Sequence, residues 1–231
     1  ELWENENFDQ IYITHTPVYD LLAKFHDPDP EKTRYIKVWG NHDLYWKDHQ
    51  DIYQSLFPGI QIYEAILLNN TMLMIHGHQA DPMCSGPVAA VSQFFVNHIW
   101  ADLQRSGVKD PTRAATNPGL CNEVDERLHK WATNNDRGIT AIIAGHTHRA
   151  VFENLSLTEM RLQTIRFKHE DVADLQTRRD PRYYNTGSCV YPMTITGIEI
   201  TSENSPHLEM VEWGLATESG KMTVRKNAVI S

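Results

Sequence analysis

Apolar positions along this chain follow two periods, and each change of period marks a change of element. In residues 16–26, TPVYDLLAKFH, Val18, Leu21, Leu22 and Phe25 recur at helical spacing, with Thr16 as N-cap and Pro17 in the first turn. DPDPEK breaks that helix; residues 34–39, RYIKVW, predict a strand, and part of 48–57 predicts a short helix stopped by Pro58 and Gly59. Residues 63–77, YEAILLNNTMLMIHG, predict two strands joined at Asn69 and Asn70, a pair that accepts the left-handed backbone of a tight hairpin.

Farther along, 86–107 is the longest helical pattern, dense enough in apolar residues to predict two buried sides, and a more amphipathic helix is expected over 122–135. ITAIIAG, 139–145, reads as a buried strand. Residues 153–182 are polar and charged, with Arg161, Arg166, Lys168, Arg178, Arg179 and Arg182 lending a basic cast that is expected to be a solvated face. From Tyr183 onward, YYNTGSCVYPMTITGIEI, HLEMVEW and MTVRKNAVI read as strands separated by turns. Helices interleave with strands early and strands dominate late, which predicts a mixed α/β architecture with helices packed outside a sheet or a pair of sheets.

Composition narrows the class. A chain of 231 residues with 41% hydrophobic and 22% charged residues can bury one substantial core, and a single domain over 1–231 is expected. No apolar run reaches the length of a membrane span. The net charge of −9 argues against an extended nucleic-acid surface, though not against a phosphorylated small molecule held through metal ions. Cys84, Cys121 and Cys189 are odd in number and lack CxxC spacing, so neither a disulfide framework nor a cysteine zinc site is expected, and a reducing cytoplasm is the predicted compartment. The chain opens on ELWENENFDQ without an initiator Met, so an upstream segment is expected.

The chemistry gathers at three strand ends. YIKVW runs into Gly40, Asn41, His42 and Asp43; TMLMI runs into His76, Gly77 and His78; ITAIIA runs into Gly145, His146, Thr147 and His148. Ligands bind at the carboxyl ends of strands in α/β folds, so if the three strands are neighbours, five imidazoles and an amide converge. In an extended segment His146 and His148 would point to the same side, toward one metal or a close metal pair. A set rich in His, with the neutral carbonyl of Asn41 and no Cys, suits borderline divalent metals that do Lewis-acid hydrolysis. A single strand-end His is more often a surface residue than a ligand; the three ends together carry the reading.

GNHD, then HGH, then GHTH, in that order and each after a strand, resembles the calcineurin-like metallophosphoesterase superfamily. The resemblance implies a four-layered αββα sandwich of two mixed β-sheets flanked by helices, with a dinuclear centre of Mn, Fe, Zn or Ni at the strand ends. It assigns Asn41, His76 and His146 to one metal and His148 to the other, makes His42 the catalytic acid and sets Asp43 to orient it. Two such ions can activate a water and clamp a phosphoryl group, and an imidazolium beside a carboxylate can protonate the leaving oxygen. His78 is expected at the substrate, Asp81 as a helix cap, and Asn185, Gly187 and Ser188 in a tight turn near the metals. A helical cap or lid is placed around 83–121.

The family's two earlier motifs, DxH and GDxxD or GDxxE, are not found. ELWEN is similar to the residues that come after the Gly-Asp of GDxxE in a subgroup that includes UDP-diacylglucosamine pyrophosphohydrolases, which makes Glu1 the last residue of that motif and puts the sheet's first strand or strands upstream. Members of that subgroup commonly carry Arg where this chain has His42, so the expectation is general phosphoester hydrolysis of a phosphorylated small molecule, by a phosphodiesterase or phosphatase. Alternatives are a non-catalytic scaffold of the same fold, a nucleotide-sugar pyrophosphohydrolase and, last, a mononuclear zinc hydrolase.

Overall fold

The computed structural model describes residues 8–29, 31–82, 84, 118–133, 138–151, 182–189, 194–202, 206–218 and 221–230. They belong to two compact units, one drawn from Glu1–Ile66 with Pro82–Lys109 and the other from Leu67–Asp81 with Asp110–Ser231. The helix expected over 86–107, the stretch 153–181 and most of the cap placed around 83–121 lie outside the described residues.

The first unit is built on aromatic packing. Helix α1 (Phe8–Ala23) lays Phe8, Ile11, Tyr19 and Leu22 against a core of Trp39, Trp46, Tyr53, Phe57, Ile60 and Ile62. Phe8 meets Trp46 edge to face at 5.2 Å, the arrangement that ring quadrupoles favour. The helix starts well before the expected Thr16, but the sequence signal there marks a real feature. His15 leaves helical geometry (φ −114, ψ 20) two residues before Pro17, which lacks an N–H and crowds the carbonyl four residues back. The Thr16 hydroxyl donates backward, to Tyr12 O at 2.8 Å and Ile13 O at 3.3 Å, so it serves a kink and not an N-cap.

Strand β1 contracts to Lys37–Val38 and pairs in parallel with β2 (Ile62–Tyr63). Between them a 3-10 turn (Leu44–Lys47) and the short helix α2 (Gln50–Gln54) come after the Asn41–Asp43 turn.

A five-stranded sheet, in the second unit from Leu67 onward, has the order β3-β4-β5-β7-β6, from β3 (Ala65–Leu68), β4 (Met72–Ile75), β5 (Ala141–Ala144), β6 (Ala150–Val151) and β7 (Arg182–Thr186). Strands β4, β5 and β7 run parallel, and β6 returns antiparallel to β7. The expected turn between β3 and β4 is present, with Asn69 and Asn70 at φ 51 and 57 and Thr71 N donating to Leu68 O at 3.1 Å. A three-stranded antiparallel sheet comprises β8 (Thr194–Ser202), β9 (Pro206–Glu218) and β10 (Lys221–Ile230).

Alternation along the strands sorts the two faces. Met72, Met74, Ala141, Ile143 and Tyr184 pack on Ile198, Ile200, Leu208 and Met210, so the larger sheet lies against β8 and β9. Ile142, Ala144, Tyr183 and Asn185 belong to the other face, where helix α3 (Pro118–Thr133) packs on β5 and β7. That helix begins earlier than the expected 122, at a proline, which suits the first helical turn. The architecture is therefore mixed α/β, with several sheets and few helices among the described residues. None of the described helices is long and apolar enough to cross a membrane.

Candidate functional site

Parallel pairing brings three strand ends of the second unit to one rim. Register runs Met74 to Ile143 and Ile143 to Tyr184, so His76, Gly145 and Thr186 come level where adjacent strands end, with Asn185 beside Ala144 one residue earlier. Gly145 N donates to His76 O at 2.9 Å, which extends the pairing past the regular strand. The expectation of neighbouring strands holds for the HGH and GHTH segments. GNHD follows β1, which pairs with β2 in a two-stranded sheet of the first unit.

At the rim the ring centroids of His76 and His146 are 5.2 Å apart, those of His76 and His78 5.3 Å, and those of His78 and His146 6.5 Å. His76 and His78 bring their Nδ1 atoms to 3.3 Å. Gly77, at φ 108, allows the approach: a Cβ there would stand 3.3 Å from the His146 Cβ, in a backbone conformation that side chains rarely adopt. His78 is buried and opens a 3-10 turn (His78–Ala80) that ends on Asp81. Asp81 is 1% exposed, and its Oδ2 lies 2.7 Å from His146 Nε2. It accepts from a histidine of another strand end, where the sequence had suggested only a helix cap.

The GHTH segment is not extended. His146 and His148 adopt φ 62 and 55, so the argument that alternating positions share a side does not apply to them. A left-handed residue other than glycine costs on the order of 1–3 kcal/mol and persists only where its surroundings over-determine it. Thr147, fully buried between them, is held on three sides. Its N–H donates to Gly145 O at 2.7 Å, the Asn185 side-chain amide reaches Gly145 O at 2.6 Å and Thr147 Oγ1 at 3.0 Å, and Cys121 Sγ faces Thr147 O at 3.8 Å. Asn185 Oδ1 in turn accepts from Gly187 N at 3.0 Å, so the tight turn expected near the motif is the clasp on it.

Behind the clasp lies a buried ionic group. Asn185 Nδ2 donates to the Tyr183 hydroxyl at 3.1 Å, Tyr183 donates to Asp125 Oδ1 at 2.5 Å, and Arg149 donates to Asp125 Oδ2. Burial pushes the Asp125 carboxyl up from its ordinary value, while the Arg149 charge and the Tyr183 hydroxyl act to hold it down. Burial likewise raises the Tyr183 hydroxyl and pushes the Cys121 thiol up to about 12. The sequence carried a signal for this group that the motifs obscured: Arg149 directly follows GHTH, and Asp125 sits next to Val124 on the α3 face that also buries Leu120, Cys121 and Leu128.

The GNHD segment belongs to the first unit. Asn41, His42 and Asp43 are partly buried in the turn after β1, where Asp43 N donates to Gly40 O at 3.0 Å. The Asp43 carboxylate meets Lys37 Nζ at 3.5 Å. Asn41 Oδ1 is buried and has no hydrogen-bond partner among the described residues. No family model matches the chain, and neither a curated protein nor a solved structure does.

Proposed function

We propose that this protein is a metal-dependent phosphoester hydrolase, a phosphodiesterase or phosphatase of the calcineurin-like metallophosphoesterase kind. The observation that carries the reading is the meeting of His76 and His146 at the carboxyl ends of adjacent parallel strands, with His146 and His148 both held in left-handed backbone. Left-handed residues other than glycine cluster at ligand sites, and a buried, hydrogen-bonded loop that holds two such imidazoles supports the reading. The layers in the second unit, α3 on the larger sheet and that sheet on β8 and β9, support the four-layered αββα sandwich as the complete fold.

The residues suit a pair of divalent ions of the borderline class. A buried amide oxygen without a donor, as at Asn41, is costly unless a cation takes it. In this reading His76 and His146 hold one ion and His148 the other, Asn41 offers its carbonyl oxygen as a further ligand atom, and Mn, Fe, Zn or Ni are the candidates. When bound, such ions supply an activated water and polarise the phosphoryl group. His42 donates its proton to the departing oxygen as that oxygen gains charge, then regains one from solvent. Asp43, whose carboxylate also meets Lys37 at 3.5 Å, orients the His42 ring. His78 donates to a phosphoryl oxygen of a small-molecule substrate, and three cysteines outside any disulfide among the described residues suit a reducing cytoplasm.

The test is hydrolysis of an aryl phosphodiester by the metal-loaded protein, its His42→Ala and His146→Ala variants, and elemental analysis of each. Activity in the parent, a loss of about 100-fold or more in His42→Ala with metal retained, and loss of both metal and activity in His146→Ala are expected. A parent that binds no transition metal and hydrolyses nothing would overturn the reading in favour of a non-catalytic scaffold.

A further inference from the structure

The segment HGHQAD does more than end a strand. After His76 the chain turns on Gly77, and the 3-10 turn is pinned by Ala80 N to Gly77 O at 3.2 Å, Asp81 N to His78 O at 3.0 Å, and Gly77 N to Gln79 Oε1 at 3.1 Å. That turn delivers a carboxylate, five residues past His76, to the ring of His146 on the neighbouring strand end. Both side chains are almost wholly buried, at 2% exposure for Asp81 and 8% for His146, so their contact is screened little by water.

We infer that Asp81 is a positioning residue for His146, holding the proton on Nε2 so that Nδ1 keeps the lone pair that a metal ion requires. An ionised carboxylate can only accept, so a ring nitrogen 2.7 Å from it carries the hydrogen. A neutral imidazole has one such hydrogen, and the other nitrogen is then the ligand atom. Metal-binding histidines regularly donate their second nitrogen to a carboxylate, which fixes the tautomer, aims the ring and raises its basicity. The inference rests on the ligand role of His146 in the function proposed above, and it adds a residue that the GNHD, HGH and GHTH motifs do not contain.

The test reads the tautomer and the affinity separately. Long-range nitrogen–proton NMR on the metal-free protein, with His146 assigned through a His146→Gln variant, is expected to show Nε2–H. Zn2+ and Mn2+ are then titrated singly into the parent, Asp81→Asn and Asp81→Ala. Asn keeps a carbonyl acceptor and is expected to keep the tautomer, with affinity within about 10-fold of the parent; Ala is expected to mix the tautomers and weaken affinity by about 10- to 100-fold. Asp81→Leu, close in size and without an acceptor, decides the matter if Asp81→Ala fails to fold, because an Nε2–H ring with unchanged affinity in it would overturn the inference.

An Nδ1–H ring in the parent, or unchanged affinity in Asp81→Ala, would overturn it while leaving the hydrolase reading intact. A parent with the Nε2–H tautomer that binds neither metal would overturn the hydrolase reading, and with it the ligand role that Asp81 serves.

Discussion

His148 stands at φ 55 in a loop where glycine would be unstrained, next to Thr147, which is clasped by Asn185 and Cys121. His148→Gly is therefore expected to raise the stability of the metal-free protein by about 1 kcal/mol while removing a proposed metal ligand. Thermal denaturation and metal titration on the same variant check both halves, and a destabilised variant would mean that the imidazole's own contacts outweigh the strain. Asn185→Ala works in the opposite direction, because it strips the donor from Gly145 O and Thr147 Oγ1 in a buried place. A loss of about 1–3 kcal/mol is expected in denaturant titration. Cys121 offers a pH test. Burial raises its thiol to about 12 from the ordinary 9.0, so the folded chain keeps a proton that the unfolded chain releases. The stability it contributes is complete below about pH 9 and is lost as pH climbs toward about 12. Cys121→Ala is expected to flatten that alkaline decline, measured as denaturation midpoints between about pH 8 and 11. At neutral pH a thiol reagent is expected to modify the exposed Cys189 well before Cys121.

Strand β5 carries the most consequence of any element. It presents Ala141 and Ile143 to the sheet interface and Ile142 and Ala144 to the opposite face, and its end leads into GHTH. Ile143→Ala is expected to cost about 2–5 kcal/mol in denaturant titration, because it opens a cavity between two sheets. Leu21→Ala in α1, where the side chain is more than half exposed, is expected to change stability by no more than about 0.5 kcal/mol. Local patterns found the elements but misjudged their limits. Thr16 and Pro17 read as a helix start because a kinked helix and a fresh helix start look alike over one turn; packing of Phe8 and Ile11 on Trp46 and its neighbours extends α1 upstream. RYIKVW has the composition of a long strand, yet its regular pairing with β2 spans Lys37 and Val38, with Trp39 N donating to Tyr63 O at 3.0 Å.

For the whole molecule, the hydrolase reading predicts that metal and fold are linked. Zn2+ or Mn2+ at about 100 times its dissociation constant is expected to stabilise the protein by about 2.7 kcal/mol, and chelation to reverse it, as read by thermal denaturation. The strand ends that would bind the metal were visible as His-rich turns after apolar runs, since ligand type and strand termination are both local properties. Parallel pairing of β4 with β5, and of β5 with β7, then joined two of those turns to Asn185. From sequence alone came the mixed α/β class, the turn at Asn69 and Asn70, and the identity of the imidazoles, because periodicity, turn chemistry and donor type are carried by residues close in the chain. Only the tertiary structure decided that GHTH is left-handed, that Asp81 faces His146, and that Asp125, Arg149 and Tyr183 share a buried group. Those facts depend on contacts between residues 24 to 65 positions apart, which no local pattern encodes.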